Sequence, residues 1–129
     1  MKEPLRRNEL SEVASWLQER VGLIIHRMNA RGFDAILWET YRSKERQKWL
    51  YGQGRSKARC ILAGISPAYS HPGPIVTHTL KSRHMVRKAA DIISRSRGWN
   101  WPEFYVALKE EAMKVGMHTL SFEGCHVEW

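Results

Sequence analysis

The chain has 129 residues, 43% of them hydrophobic and 26% charged, and a formal net charge of +8. That length gives one domain with a single core, and the composition is that of a globular protein. No apolar run approaches the roughly 20 residues that span a bilayer, which excludes a membrane-spanning helix.

The segment Met1-Lys2-Glu3-Pro4-Leu5-Arg6-Arg7 leads into a polar stretch and not an apolar signal core, so a protein made and kept in a cytoplasm is expected. Cys60 and Cys125 are expected to be free thiols. Cys125 adjoins His126. Strand neighbours face opposite ways, so Cys125 reads as a small buried residue and not a ligand. The positive charge favours a polyanionic partner, whether nucleic acid, anionic membrane or the acidic polymers of a bacterial envelope. The densest basic run (Arg42, Lys44, Arg46, Lys48, then Arg55, Lys57 and Arg59) is explained by a solvated helix face. Its aromatics are not interleaved for base stacking, which makes specific nucleic-acid binding the weakest reading.

Taken in order, Leu10, Val13, Leu17, Val21, Ile24 and Met28 recur at three- and four-residue steps and predict a helix over 9–30. Asn8 or Ser11 would cap it, and Gly32 would end it. Residues 34–41 are apolar, aromatic and β-branched and predict a first strand. Ser43 is placed to cap a second helix over 44–52, which leaves Arg42 at a strand's carboxyl end, where side chains often face a site. Residues 52–75 are rich in Gly and Pro and read as one long, functional or mobile loop. Residues 75–79 predict a second strand and 88–93 a third, with Ala89, Asp91 and Ile93 on one face and Ala90 and Ile92 on the other. Pro102 and Glu103 suit the first turn of a further helix, with Phe104, Leu108, Ala112 and Val115 as its apolar stripe and Gly116 at its end. Short strands follow at 118–122 and 125–129. This order predicts a small α+β domain, a mostly antiparallel sheet packed against helices, filling residues 1–129 without a second domain.

Two stretches carry candidate chemistry: residues 82–91, Ser-Arg-His-Met-Val-Arg-Lys-Ala-Ala-Asp, and residues 123–129, Glu-Gly-Cys-His-Val-Glu-Trp. His84, Asp91 and His126 would make three ligands of a catalytic zinc, and Glu123 a carboxylate to take a proton from water. Spacing sets a condition. His84 and Asp91 are seven apart, which puts them on opposite faces of a straight strand and about 10 Å apart along a helix, so the chain must bend between them. Glu123 and His126, three apart, also have the wrong parity, and Gly124 would supply a turn. Glu128 shares the face of His126 and would orient a ligand imidazole. Against this stand plainer readings: a surface or core histidine, an ordinary ion pair at Asp91, a turn residue at Glu123.

Ser-x-His, then Ala-x-Asp with seven residues from His to Asp, then acid-x-x-His near the end, resembles the zinc peptidases that cut D-amino-acid bonds in bacterial cell-wall peptide. These are the VanY- and VanX-like D-Ala-D-Ala peptidases and the phage L-alanyl-D-glutamate endolysins. A second block agrees: Glu39-Thr40-Tyr41-Arg42-Ser43, then Gln47, Leu50-Tyr51 and Gly54-Arg55, with Ile75-Val76-Thr77 before the histidine motif. The resemblance covers the chain from about residue 28 onward. It implies a hedgehog/D-Ala-D-Ala-peptidase-like fold without a separate cell-wall-binding domain. It implies zinc on His84, Asp91 and His126, Glu123 as general base, Arg42 as the residue that meets the substrate carbonyl or carboxylate, and Ser82 as a site-shaping hydrogen-bonder. The activity implied is that of a phage endolysin cleaving the L-Ala–D-Glu bond of the peptidoglycan stem peptide. A monomer is expected, held to the anionic wall by its charge and acting there after release, with host lysis as the result. The alternatives are a D-Ala-D-Ala carboxypeptidase or dipeptidase, and a catalytically silent zinc-binding module. The chain departs from the family at Arg87, where a glycine is usual. If that position needs positive φ, arginine there costs about 1 kcal/mol or more.

Overall fold

A computed structural model describes residues 1–121 and 123–129. Four α-helices pack with one antiparallel sheet. The helices are α1 (Ser15–Ala30), α2 (Lys44–Gly52), α3 (Lys57–Leu62) and α4 (Pro102–Lys114), and the strands β1 (Ala35–Glu39), β2 (Ala89–Ser94), β3 (His118–Leu120) and β4 (Glu123–Glu128). The strand order is β1-β2-β4-β3, with every pairing antiparallel. The α+β expectation holds.

One face of the sheet is covered by α1 and α4. Leu17, Val21, Ile24 and Met28 meet Phe104, Ala107, Leu108 and Ala112 over Ala90, Ile92 and Val127. The three- and four-residue spacing of these side chains is what makes both helices, since each must bury one stripe. Within β2 all six residues are buried, so its second face is covered as well, and that face holds Asp91.

Several boundaries differ from expectation. The helix predicted over 9–30 is a 3-10 turn at Leu10–Glu12 followed by α1, the break falling at Val13 and Ala14, whose backbone is extended. The N–H of Ala14 is there engaged by the Arg87 carbonyl at 2.8 Å. Neither Asn8 nor Ser11 caps α1; its N-cap is Ala14, without a side-chain bond. Its end is as expected: Gly32 turns at φ +91°, and Phe33 N–H reaches back to the Met28 carbonyl. Ser43 caps α2, its Oγ accepting from Arg46 N–H at 3.1 Å. The region 52–75 is not one open loop. It contains α3, capped by Ser56, and a 3-10 turn at Pro67–Tyr69, closed around Cys60, Ile65 and Tyr69 with Trp49, Tyr51 and Leu80 against them. Gly52 permits this closure, because a Cβ there would lie 1.9 Å from the Tyr69 carbonyl oxygen. The strand expected at 75–79 is not formed. Ile75 and Val76 are exposed and bond to no ladder, and Thr79 instead gives its carbonyl to Gln47 Nε2 at 2.7 Å. The strand expected at 118–122 is seen as His118–Leu120, and Phe122 lies outside the described residues.

Candidate active site

The central strand pair positions the first two groups. Asp91 on β2 lies directly opposite His126 on β4, so the two side chains share a face. His84 arrives from the segment before β2. Ser82 caps a 3-10 turn at Arg83–Val86, its Oγ accepting from His84 N–H at 3.2 Å, and Arg87 then takes a left-handed conformation, φ 62° and ψ 26°. This is the bend that the His84–Asp91 spacing requires. Arg87 is the one non-glycine with positive φ among the described residues. Its guanidinium bonds Glu12 Oε2 at 2.8 Å and lies 4.1 Å from the centroid of the Tyr41 ring. A side chain costs roughly 1–2 kcal/mol in that conformation, and these are the contacts that Arg87 makes from it.

The three groups converge. His84 Nε2 is 3.1 Å and His126 Nδ1 3.3 Å from the same oxygen, Asp91 Oδ1. One ligand atom from each lies within 4.8 Å of the others, and all three residues are buried. The opposite nitrogen of each imidazole is held from behind. His84 Nδ1–H donates to the Thr40 carbonyl at 2.6 Å, and His126 Nε2–H donates to Glu128 Oε1 at 2.8 Å. With the protons there, two imidazole lone pairs and a carboxylate oxygen face one another out of water. His126 Nδ1 is buried and makes no hydrogen bond. Three acceptors so placed repel one another unless a proton or a metal cation stands between them, and outer partners of this kind are what fix metal-binding imidazoles. The donor set, two nitrogens and a carboxylate, suits zinc and leaves a fourth position open.

Charge acts on each group of the cluster. Burial opposes ionisation of Asp91, yet the neighbouring His84, His126 and Arg42 hold its carboxyl well below the usual carboxylate range. Burial disfavours an imidazolium at His126, but Asp91, Glu128 and Glu123 outweigh it and raise its pKa. Glu123, at the start of β4, has Oε2 3.7 Å from His126 Nδ1. Its pKa is raised, chiefly by burial, with Asp91 adding to the shift. A carboxylate made more basic beside a cation site is suited to take a proton from water.

The turn expected at Gly124 is absent. Gly124 lies within β4, and no positive φ is found there. Parity is broken by an irregularity in the β3–β4 register, where Thr119 pairs with Val127 but Leu120 with Glu123. Gly124 packs instead beneath Tyr105, whose ring would lie in contact with a Cβ there at 3.4 Å. Cys125 is half-buried and lines the cleft, which differs from the buried residue expected; Cys60 is buried, and both thiols are free.

A cleft of about 520 Å³ opens over this centre, lined by Asp91, Glu123, Arg42, Trp38, Trp99 and Tyr105 among others. Arg42 is 8% exposed. It bonds Glu39 Oε1 at 2.9 Å, Gln47 Oε1 at 3.0 Å and Asp91 Oδ2 at 3.4 Å, and its Nε has no partner. Ser82 does not line the cleft and acts on the site through the turn that it caps. Sequence reasoning missed Thr40, whose part is played by a backbone carbonyl that leaves no side-chain signal. It also gave no role to Glu39, although an acid three residues before Arg42 at a strand end is a discernible signal.

The arrangement is thus a buried His-Asp-His cluster able to hold a cation, with a carboxylate of raised pKa and an arginine at the floor of an open cleft. No family sequence model matches the chain, and no curated protein matches it in sequence. Solved structures do match in fold. One is VanY, a D,D-pentapeptidase from a VanB-type vancomycin-resistance cassette, solved with Zn(II), at TM-score 0.61 and 18% identity over 91% of this chain and 72% of that one. Another is the Serratia marcescens L-Ala D-Glu endopeptidase ChiX, at TM-score 0.54 and 21% identity over 92% and 81%. The LdcB LD-carboxypeptidase matches at TM-score 0.64 and 17% identity over 100% and 63%. The fold is therefore that of the VanY-like peptidoglycan peptidases.

Proposed function

We propose that this chain is a zinc peptidase of bacterial cell-wall peptide and that it cleaves the L-Ala–D-Glu bond of the stem. The observation that carries this is the meeting of His84 Nε2, Asp91 Oδ1 and His126 Nδ1 around one point, with Glu123 beside it and Arg42 in the same cleft. The fold shared with VanY, LdcB and ChiX supports the substrate class, and ChiX supports the endopeptidase bond. The charge of +8 supports adhesion to an anionic wall. In this reading the enzyme is a monomer of the phage endolysin kind, made inside the host and acting on the wall after release.

His84, Asp91 and His126 would hold the zinc, which when bound acts as a Lewis acid and lowers the pKa of water toward about 7. The chain's own groups do the rest. Thr40 and Glu128 keep the two imidazoles in the tautomers that present Nε2 and Nδ1. Glu123 takes the proton of the attacking water and returns it to the leaving amine, a role its raised pKa favours. Arg42 stabilises charge developing on the carbonyl oxygen; loss of one such donor costs on the order of 100-fold or more.

Purified peptidoglycan incubated with the protein, with and without a zinc chelator, tests the reading by mass analysis of the fragments. New N-terminal D-Glu, absent with chelator, is expected. Loss of terminal D-Ala would instead make it a carboxypeptidase, as LdcB is by name. No release from zinc-loaded protein would leave a silent binding module.

A further inference from the structure

Beyond the zinc centre, the cleft floor carries a second guanidinium. Arg46, on the first turn of α2, is 3% exposed and lines the same cleft as Arg42, Asp91 and Glu123. Glu39, 2% exposed, joins the two arginines: Oε1 accepts from Arg42 and Oε2 from Arg46 Nε. Both terminal nitrogens of Arg42 are already bonded, to Glu39, Gln47 and Asp91, while its Nε has no partner. The outer end of Arg46 is held differently. Its Nη1 donates to Glu3 Oε1 and to the Pro4 carbonyl, each at 3.0 Å.

Glu3 is a poor permanent partner for so buried a cation. Its side chain is 54% exposed. It belongs to a segment without regular structure, tethered by Arg6 over the Trp38 ring at 3.3 Å and by the Arg7 carbonyl on Thr40 N–H at 2.7 Å. Charge counting gives the same result. Once the Asp91 carboxylate is committed to a cation, Glu39 alone faces two guanidiniums. Among the carboxylates bonded to this arginine pair, Glu3 is then the second, so that Glu39 and Glu3 together match Arg42 and Arg46 in the free protein.

We propose that Arg46 is a specificity residue that binds a substrate carboxylate, and that Glu3 occupies its place until substrate exchanges with it. This rests on the peptidase reading above and names the substrate group. In a stem peptide joined onward through the side-chain carboxyl of D-Glu, the α-carboxylate of that residue stays free next to the scissile bond. Arg46 selects stems with that carboxylate over stems in which it is an amide, since a guanidinium forms an ion pair with the carboxylate and only a hydrogen bond with the amide carbonyl.

The test compares the free-carboxylate and amidated forms of one stem peptide, using zinc-loaded wild type, Glu3→Gln and Arg46→Gln. KM and kcat are read for both forms. Binding of the γ-D-glutamyl product peptide, as acid and as amide, is read by calorimetry. Wild type should favour the acid on the order of tenfold, through KM and product affinity and not kcat. Glu3→Gln, at an exposed side chain, should widen that preference several-fold by removing the competitor. Arg46→Gln should bring the ratio toward one. Should Arg46→Gln fail the check of thermal unfolding, Glu3→Gln still decides: an unchanged preference overturns the exchange. Cleavage of both forms with no preference overturns the carboxylate site and leaves the peptidase reading standing. Acid-selective binding that depends on Arg46, without cleavage of either form, does the reverse.

Discussion

The two faces of β2 are built on different rules. Ala90 and Ile92 point into the core with Leu17, Ile24 and Phe104, and any well-packed apolar set would serve there. Asp91, one residue away on the other face, meets His84, His126 and Arg42, and each partner has a fixed atom to present. The apolar face is a matter of volume and tolerates repacking. The polar face depends on a left-handed residue at 87, on carbonyl and carboxylate partners behind each histidine, and on a register irregularity in β4. Changes on the first face should be read as stability, and changes on the second as metal affinity and turnover.

Truncation of the core gives the largest shift that separates the two. Phe104 is fully buried, and Phe104→Ala should cost about 3–5 kcal/mol in denaturant unfolding. Folded Phe104→Ala should keep its zinc affinity, and a parallel loss of zinc from the folded fraction would mean that the faces are not separable. On the polar face, Glu128→Ala removes the acceptor behind His126, which also pairs with His118 at 3.3 Å. Zinc affinity should fall about 10- to 100-fold, measured by competition with a chromogenic chelator, with little change in unfolding.

Zinc affinity should also depend on pH in a stated direction. The pKa of His126 is raised, and its proton must leave before Nδ1 can bind an ion. Affinity should therefore fall as pH drops through that raised pKa, about tenfold per unit for the one proton displaced, and level off above it. A flat profile from pH 5 to 8 would remove His126 from the ligand set. The smallest effect is at Arg87. Arg87→Ala loses the Glu12 and Tyr41 contacts and keeps the left-handed backbone, whereas Arg87→Gly loses the contacts but relieves the backbone. The glycine variant should be the more stable of the two by about 1 kcal/mol, which thermal unfolding resolves.

What could be read from sequence follows the same division. The stripes of α1 and α4, the alternation in β2, the Ser43 cap and the antiparallel α+β class depend on local periodicity, and the structure has them. So too the need for a bend between His84 and Asp91, because it is a parity argument. The rest is set by distant contacts. Six residues between glycines form α3 because Cys60 finds Ile65 and Tyr69. Residues 75–79, apolar and β-branched, form no strand because no ladder offers them bonds. Gly124 is a turn signal by sequence, yet it lies within β4 with the Tyr105 side chain packed over it. The Thr40 carbonyl behind His84 and the pairing of Glu3 with Arg46 join residues more than forty apart, and no local pattern announces either.

The most direct test of the account is Glu123→Gln, with bound zinc and peptide release from peptidoglycan measured on the same sample. The account predicts zinc bound as in wild type, because His84, Asp91 and His126 are untouched, and release reduced about 100- to 10,000-fold. Undiminished release with zinc in place would contradict it, since the proton would then be moved by some group other than Glu123.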